Sequence, residues 1–516
     1  MTVILLAALV AAYGLYSYLL FPLFLSPLAR LPTPHWSCAL SSFWILRARK
    51  RGTENRSLHD AHSRNGPIVR VAPDTLSVDS IDAVRTIYQG GFEKWPWYAM
   101  FHFYGVPCIF SSLGSKEHSR RKRIVSRVYS KSFIHSSQAL KAQSRAVLQG
   151  RLLPLLQREA VRSECEGTEV MSILLATTMD LLSAYIFGIQ GSTNFLDDQS
   201  YRHHWLRMYL NRHHHSFWPQ ELPTLTKLCS KLGVRLYPSF VDKEYAELQD
   251  WNLQLCNRAR DFLVRGETSE ENEPVVFRAL YAGIKKEEES EGSRSIQKRD
   301  LAVASEIMDQ LLAGHETAGI TLTYLTWRMS QNPALQDQLR AELLSLKPTT
   351  EAVSGNLPDG KALDALPLLQ AVIMETLRLH SPIPAPQPRI TPYPFTRIDG
   401  FDVPGGVRVA ALAYTLHLNE TVFPDPRRWD HTRWLPDETS DEAQKDMKRQ
   451  FWAFGSGGRM CIGSNFALSE MKQIVALIYS NFRTSIVDDS GMEQTDAYSA
   501  RPKGDRLMLK LTCLDP

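Results

Sequence analysis

The stretch Phe451-Trp-Ala-Phe454-Gly-Ser-Gly457-Gly-Arg459-Met-Cys461-Ile-Gly463 decides how this chain is interpreted. Three glycines precede a single cysteine, so the backbone can turn tightly and approach a flat ligand closely. An amphipathic pattern over Ser464–Asn481 predicts a helix directly after the loop, whose positive dipole end would stabilise a thiolate. Arg459 could pair with a ligand carboxylate. No second cysteine or histidine stands at a zinc-like spacing, which argues against a structural zinc site.

At every fixed position this stretch resembles the haem-binding loop of the cytochrome P-450 family, F-x-x-G-x-R-x-C-x-G. At about 5% usage per residue type, a chance match in ~500 starts has a probability on the order of one in ten thousand. The alternative, a cysteine at a helix start with incidental glycines, needs that coincidence. The resemblance implies a mainly α fold, a helical prism with small β-sheets, and haem b as cofactor. It also implies that Cys461 is the axial ligand of the haem iron and that Phe454 and Arg459 bind the haem.

A long helix is predicted over Leu301–Gln331, with Ala313-Gly-His-Glu316-Thr317-Ala318 at its middle. Glycine costs roughly 1 kcal/mol in a helix interior relative to alanine. A glycine three residues before a threonine therefore indicates a locally opened hydrogen-bond ladder, in which the hydroxyl replaces a backbone partner. A carboxylate beside a hydroxyl can relay protons, although a core helix with an incidental polar turn fits equally well. The segment resembles the family's distal motif A/G-G-x-D/E-T, which implies catalytic roles for Glu316 and Thr317. Ala318 departs from the hydroxyl residue that the family often has there.

Further motifs occur in the family's order. Glu375-Thr-Leu-Arg378 resembles its E-x-x-R, in which i,i+3 spacing puts both side chains on one helix face, although an ordinary surface pair gives the same pattern. Arg433, in a segment that resembles the family's meander, would complete a Glu–Arg–Arg network. His118 and Lys122 stand where the family has W-x-x-x-R for the haem propionates, and both can donate hydrogen bonds, without arginine's bidentate fork. Arg389 matches the family's other propionate-facing arginine.

The N-terminus predicts a membrane anchor. Thr2–Ala29 has no charged side chain and Val3–Leu25 is almost wholly apolar, long enough to cross a ~30 Å hydrocarbon core. A cleavable signal peptide would have a shorter apolar region behind a basic segment. The basic residues all follow the span, which predicts a cytosolic body and unused glycosylation sequons at Asn55 and Asn419. We therefore expect an anchor over residues 1–29 and a single catalytic domain over residues 30–516.

Composition fits a globular protein and excludes several classes. The 516 residues include 59 Lys+Arg and 55 Asp+Glu, a net charge of +4, which is too small to indicate nucleic-acid binding. With 44% hydrophobic and 22% charged residues, the chain is neither disordered, collagen-like nor a polytopic membrane protein. The seven cysteines are scattered singly, which favours a reducing compartment.

Periodicity predicts mostly helices with a few short strands. Further helices are expected over Ala139–Glu159, Val170–Phe187, Tyr245–Arg265, Leu335–Leu346 and Leu366–His380, and strands over Ile68–Val71, Leu76–Val78, Phe401–Val403, Val407–Ala410 and Leu507–Leu511. Polar stretches at Lys285–Arg299, Lys347–Gly360 and Pro436–Gln450 predict solvated loops or helix ends.

Three weaker features have competing interpretations. The histidines at 203, 204 and 213–215 lack accompanying carboxylates or cysteines at ligand spacing, which favours a solvated segment over a metal site. The aromatic residues between Trp95 and Tyr104 could contact substrate, or could pack in the core or against the membrane. Arg120–Arg123 is a solvated face or a docking surface for an acidic electron donor.

Together the resemblance implies a haem-thiolate monooxygenase that inserts one oxygen atom from O2 into a lipophilic small molecule. Electrons from NADPH would come through a partner reductase, since the chain carries no flavin domain of its own. An endoplasmic reticulum membrane location, contact with membrane lipid and a role in secondary metabolism follow by analogy with fungal microsomal members. One alternative is an O2-independent haem-thiolate isomerase or dehydratase, and another is a non-catalytic haem sensor. The acid–alcohol pair argues against the isomerase, and the absence of an output domain argues against the sensor. The substrate itself cannot be deduced from the sequence.

Overall fold

The computed structural model describes residues 2–162, 166–266, 269–290, 295–346 and 358–514. Helices dominate, as expected. The described α-helices are α1 Thr2–Leu15, α2 Phe43–Arg51, α3 Glu54–Asn65, α4 Ile81–Val84, α5 Ser115–Ser126, α6 Lys131–Ser136, α7 Gln138–Val147, α8 Leu153–Arg162, α9 Val170–Phe187, α10 Gln199–His214, α11 Phe217–Glu221, α12 Pro223–Lys231, α13 Phe240–Arg265, α14 Val275–Ser290, α15 Ile296–Ser330, α16 Pro333–Ser345, α17 Gly360–Asp364, α18 Pro367–Leu379, α19 Ala413–His417, α20 Asp441–Gln450 and α21 Ser464–Asn481.

Three small sheets flank the helices. The strands are β1 Ile68–Ala72, β2 Thr75–Val78, β3 Thr168–Glu169, β4 Arg389–Ile390, β5 Phe395–Ile398, β6 Phe401–Pro404, β7 Arg408–Ala410, β8 Phe482–Asp488 and β9 Met508–Cys513. The first sheet has the order β1-β2-β7-β4, the second β3-β9-β8, and β5 and β6 form a hairpin. A bridge between Lys94 and Arg389 extends the first sheet at β4 and brings the loop before α5 beside it.

The long helix α15 lies at the centre of the helical part. It packs along α9 and also contacts α13, α14, α18 and α21. Two glycines of α15 permit this packing: a Cβ at Gly314 would lie 2.4 Å from Leu182 Cδ2, and one at Gly319 would lie 2.6 Å from Leu175 Cδ2. The predicted local opening at Gly314 is wrong, because α15 is continuous through it. Gly314 instead allows α9 to pack close to α15.

Two described helical segments are long and apolar enough to cross a membrane. The first, Thr2–Leu25, has no buried residue in its 18-residue apolar window and consists of α1 and a π-helix that contains the buried Pro22. The second, α9, is 94% buried and is a core helix. The N-terminal segment is therefore the candidate anchor.

The prediction of solvated loops or helix ends is confirmed at Lys285–Arg299 and is wrong at Pro436–Gln450, where a whole helix forms. Lys285–Arg299 contains the end of α14 and the start of α15, because the buried stripe from Val275 to Ile284 fixes α14 and its Lys- and Glu-rich end continues the helix. Pro436–Gln450 contains α20. The histidine-rich segment is the helix α10, held by buried Trp205 and Tyr209. The stretch Lys347–Gly360 lies mostly outside the described residues. Strand β8 was not predicted.

Candidate functional site

The loop that carries Cys461 is shaped by glycines in left-handed conformations. Gly455 has φ 68° and Gly457 has φ 70°, which other residues adopt only with strain. A Cβ at Gly457 would also lie 2.2 Å from the carbonyl oxygen of Tyr88. The Cys461 N–H donates to the Phe454 carbonyl oxygen at 2.9 Å, which closes the loop before α21 begins at Ser464. The turn therefore admits only glycine at position 457.

The Cys461 thiol is exposed and has opposing influences on its pKa. Desolvation by the loop is the largest effect and raises the pKa of Cys461. The backbone N–H groups of Gly463 and Ser464 and the charge of Lys122 lower it. The start of α21 thus directs hydrogen-bond donors at the sulfur, as a thiolate ligand requires.

Five basic side chains gather on one side of this loop. His118 lies on α5, buried, and its pKa falls to about 3, through desolvation first and then the charges of Arg459 and Lys94. Desolvation, followed by the Arg389 charge, also lowers the pKa of Arg459 to about 10 and that of Lys94 well below its usual range. Lys122, the fifth, has a pKa lowered by desolvation and by Arg459.

These five groups, which we call the basic cluster, have only neutral hydrogen-bond partners. Arg459 donates to the carbonyls of Ser112 and Leu113 at 2.6 and 2.5 Å. Lys122 Nζ donates to the carbonyls of Gly458 and Met460 at 3.0 and 2.9 Å. Lys94 Nζ donates to the Phe110 carbonyl, and Arg389 donates to the Pro388 carbonyl at 3.0 Å. Within the described part of the chain, no carboxylate forms an ion pair with any member of the cluster. A group of buried and half-buried basic side chains without an ion-paired carboxylate fits a ligand with carboxylates, such as the haem that the sequence implies.

On α15 the two predicted catalytic side chains point to different faces. Ala313 is exposed, and Thr317, one turn later, is half-buried. Thr317 Oγ1 donates to the Ala313 carbonyl at 2.9 Å. Glu316 is only 3% exposed. Its Oε2 accepts from the Tyr209 hydroxyl at 2.7 Å and its Oε1 from Arg501 at 3.2 Å. The motif is thus present, with the acid held by two distant parts of the chain.

The charge state of Glu316 follows from these partners. Desolvation is the largest single effect and by itself raises the pKa of Glu316. The charges of His213, Arg501 and His315, with the Tyr209 hydrogen bond, outweigh it and lower the pKa to about 2. The group is a carboxylate at neutral pH.

The structure brings Glu375, Arg378 and Arg433 together. Arg378 donates to both oxygens of Glu375, at 2.9 and 2.7 Å, and Arg433 Nε lies 3.5 Å from Glu375 Oε1. His417 links this group to the cysteine loop. Its Nδ1 is 2.8 Å from the Arg378 carbonyl and its Nε2 accepts from the Trp452 N–H at 2.8 Å. Sequence reasoning missed His417, since nothing in its neighbourhood marks it.

Aromatic side chains gather beside the basic cluster. Trp97, Phe101 and Tyr498 have ring centroids 5.3 to 6.3 Å apart. The Tyr98 hydroxyl donates to Gln387 Oε1 at 2.9 Å and lies 3.3 Å from an Arg389 nitrogen. Of the aromatic residues between Trp95 and Tyr104, Tyr98 therefore lies close to the predicted haem-binding Arg389, and Trp97 packs against Tyr98.

Other predicted features are placed elsewhere. On α5, Arg120 pairs with Glu287 at 3.4 Å, and Arg121 pairs with Glu306 at 3.0 Å, so these two charges are partly compensated within the protein. No group of three or more His, Cys, Asp or Glu side chains in the described ranges could hold a metal ion. A cleft of about 530 Å³ between α10 and α13 contains none of the motif residues.

Comparison with known proteins agrees with this geometry. The sequence profile of the family described as Cytochrome P450 matches residues 32–507. The chain is similar to the cytochrome P450 monooxygenase avaI of Aspergillus versicolor, 29% identical over 80% of this chain and 94% of the relative. It is also similar to tazI of Aspergillus terreus, a cytochrome P450 monooxygenase that is 28% identical over 95% of each chain. A third relative, the cytochrome P450 monooxygenase orf2 of Aspergillus niger, is 25% identical over 94% of this chain and 93% of its own length.

Proposed function

The chain belongs to the cytochrome P450 family of haem-thiolate monooxygenases, and we propose that it oxidises a lipophilic small molecule of secondary metabolism with one oxygen atom from O2. The observation that carries this proposal is the pairing of the Cys461 loop with a basic cluster in which no described member is ion-paired with a carboxylate. The names of the relatives support the monooxygenase class over an isomerase or dehydratase that works without O2.

The cofactor that we propose is haem b. Cys461 would bind its iron, Phe454 would lie against the thiolate side, and the side chains of His118, Lys122, Arg389 and Arg459 would hold its propionates. A bound haem of this type activates O2, and the thiolate favours O–O cleavage. The carbonyl partners of Arg459 and Lys122 hold these side chains in place before the haem binds.

Protons for oxygen activation would come through Thr317 and Glu316. Thr317 faces the same side of α15 as the exposed Ala313, so its hydroxyl can contact the reacting groups. Glu316, which precedes Thr317 in the motif, would relay protons from solvent.

Electrons would come from NADPH through a membrane-bound reductase. The basic residues of α5 remain the proposed docking face, although Arg120 and Arg121 are engaged by Glu287 and Glu306. Thr2–Leu25 would anchor the protein once in the endoplasmic reticulum membrane, with the catalytic domain on the cytosolic side, because the basic residues follow the span.

Carbon monoxide tests the haem-thiolate assignment directly. The reduced holoprotein with carbon monoxide should show the red-shifted Soret band of thiolate ligation. Cys461→His should abolish that band, while the matched control Cys513→His, at another exposed cysteine, should keep it. An unchanged band in Cys461→His would overturn the proposal. Oxygen-dependent NADPH consumption with added reductase then separates a monooxygenase from an isomerase.

A further inference from the structure

The Glu316 carboxylate is held by partners from two segments that are distant in sequence. Tyr209, on α10, donates to Oε2, and Arg501, in the segment between β8 and β9, donates to Oε1. Arg501 is only 9% exposed and Glu316 only 3%. This is an ion pair in low-dielectric surroundings, where removal of one partner leaves an uncompensated charge.

Arg501 is itself fixed in direction. Its Nε donates to Asp505 Oδ1 at 2.7 Å, and its carbonyl accepts from the Thr495 N–H at 2.8 Å. The neighbouring Ala500 N–H donates to the Pro382 carbonyl at 2.9 Å. The segment is thus hydrogen-bonded on both sides of Arg501, and the guanidinium reaches Glu316 from a fixed backbone.

The other charged or titratable groups near Glu316 make different contacts. His315 Nδ1 is 2.8 Å from the Leu311 carbonyl, and its ring packs edge-on against Tyr209 at 5.1 Å. His213 packs against Tyr209 at 4.6 Å. Arg212 lies 4.0 Å from the ring of Tyr245. Among the described residues, Arg501 is the cation in ion-pair contact with Glu316.

We propose that Arg501 and Tyr209 are positioning residues for Glu316, which keep it a carboxylate in one orientation on the buried face of α15. This inference rests on the proposed role of Glu316 in proton relay. Burial lowers the pKa of His213 and of His315, so these imidazoles are neutral in the working pH range. Without Arg501, burial would therefore favour the neutral acid of Glu316, which would lose its fixed orientation. The pair would therefore matter for proton delivery although neither Arg501 nor Tyr209 contacts the reacting groups.

Thermal unfolding of the holoprotein as a function of pH tests the pair without a substrate. In wild type, the folded pKa of Glu316 is about 2, below its unfolded value, so its stabilising effect is complete at neutral pH. In Arg501→Gln the folded pKa should lie above the unfolded value, so stability should fall as pH rises through it. The melting-temperature gap between wild type and Arg501→Gln should therefore widen from pH 5 to pH 8.

Three further variants make the result specific. Arg501→Gln/Glu316→Gln should remove the pH dependence of the gap, since no acid remains to titrate, and Arg501→Lys should restore most of the wild-type behaviour. Arg506→Gln, an exposed arginine of the same segment that pairs with Asp488, should show no such dependence. The proposal would be overturned if the melting-temperature gap between wild type and Arg501→Gln did not vary with pH. It would also be overturned if the same pH dependence remained in Arg501→Gln/Glu316→Gln.

Turnover gives the second readout. With reductase and NADPH, Arg501→Gln should oxidise NADPH on the order of tenfold more slowly at pH 6 than at pH 8, while wild type changes little. Tyr209→Phe should show the same dependence more weakly. A wild-type pH profile in Arg501→Gln would refute the positioning role. Failure of the proposed function is distinguishable, because it would appear as loss of the carbon monoxide band in the wild-type protein, whatever the pH dependence of unfolding.

Discussion

The Arg378 guanidinium donates hydrogen bonds to both oxygens of Glu375, at 2.9 and 2.7 Å, and neither side chain has any exposed surface. Trp434 Nε1 and the Asp430 N–H also donate to Glu375, so its carboxylate is fully satisfied. Because His417 joins the Arg378 carbonyl to Trp452, this pair is connected by hydrogen bonds to the start of the cysteine loop. We therefore expect the geometry of the Cys461 loop to depend on this ion pair outside it.

We expect Glu375→Gln to destabilise the protein strongly. It leaves the buried Arg378 charge with carbonyl partners and no carboxylate, which costs about 3–5 kcal/mol. The melting temperature and the haem content of the purified protein should both fall. Asp446→Asn is the matched control, because Asp446 and Arg449 form a pair of the same i,i+3 spacing on the surface. If the two variants were equally stable, the connection to the cysteine loop would carry no energetic weight.

The glycines of α15 should differ in their tolerance of alanine. At Gly319 the added Cβ would lie 3.1 Å from Leu175 Cα, which cannot rotate away, whereas at Gly314 the closest atom is the end of the Leu182 side chain. Gly319→Ala should therefore cost about 1–3 kcal/mol through overpacking. Gly314→Ala should cost less, since alanine regains about 1 kcal/mol of helix propensity. Melting temperatures of both variants measure this, and addition of Leu182→Ala should relieve only Gly314→Ala.

The predicted membrane topology leaves the glycosylation sequons at Asn55 and Asn419 unused, and the two sites differ in how well they can test it. Asn55 is 1% exposed and its N–H is bonded to Asp496 at 2.7 Å, so the folded protein offers no access to it. Asn419 is half-buried and is the better reporter. It should stay unglycosylated in microsomes, and external protease should digest the body. A sequon on an N-terminal extension should be glycosylated as the positive control, and a glycan at Asn419 would place the domain in the lumen.

The sequence identified the motifs that are contiguous and missed the partners that are distant. The Cys461 loop, the E-x-x-R pair and the long helices α9, α15 and α21 follow from local spacing, because hydrogen-bond geometry repeats over a few residues. The face of Glu316 also follows from spacing, since Thr317 shares a face with Ala313 and Glu316 does not. Arg501 and Tyr209 could not be predicted, because they meet Glu316 across 185 and 107 residues of sequence.

An ion pair at the edge of the aromatic group should slow the entry of large ligands. Glu221, on α11, accepts from Arg49 at 2.8 Å and from Trp97 Nε1 at 3.0 Å, and its side chain is 8% exposed. Glu221 thereby connects the segment between α10 and α13 to Arg49 on α2 and to Trp97, whose ring packs on Tyr498. Glu221→Gln keeps the shape and weakens both bonds. Stopped-flow spectra of the holoprotein should show faster binding of clotrimazole, a bulky azole, with binding of imidazole unchanged.

Two comparisons make that test decisive. Glu244→Gln alters a carboxylate that accepts from Asn211 at 2.9 Å, between α10 and α13, without a contact to Trp97 or Arg49. It should leave both ligands at wild-type rates. Equal acceleration of imidazole and clotrimazole in Glu221→Gln would indicate a general loosening of the protein instead of a release at this contact.

The division of labour on α15 is testable at Thr317. Its hydroxyl bonds the Ala313 carbonyl at 2.9 Å in the structure, and it can turn to supply the hydrogen bond that oxygen activation needs. Thr317→Ala should keep haem binding and NADPH oxidation and divert electrons to hydrogen peroxide, whereas Glu316→Gln should mainly slow turnover. Each lost proton-transfer role should cost on the order of 10²-fold in product formation.

Thr321→Ala is the matched control, because Thr321 makes the same bond one turn later and is 1% exposed. The decisive ratio is hydrogen peroxide formed per NADPH consumed. A wild-type ratio in Thr317→Ala would mean that a substrate hydroxyl supplies the hydrogen bond or that oxygen is activated without one.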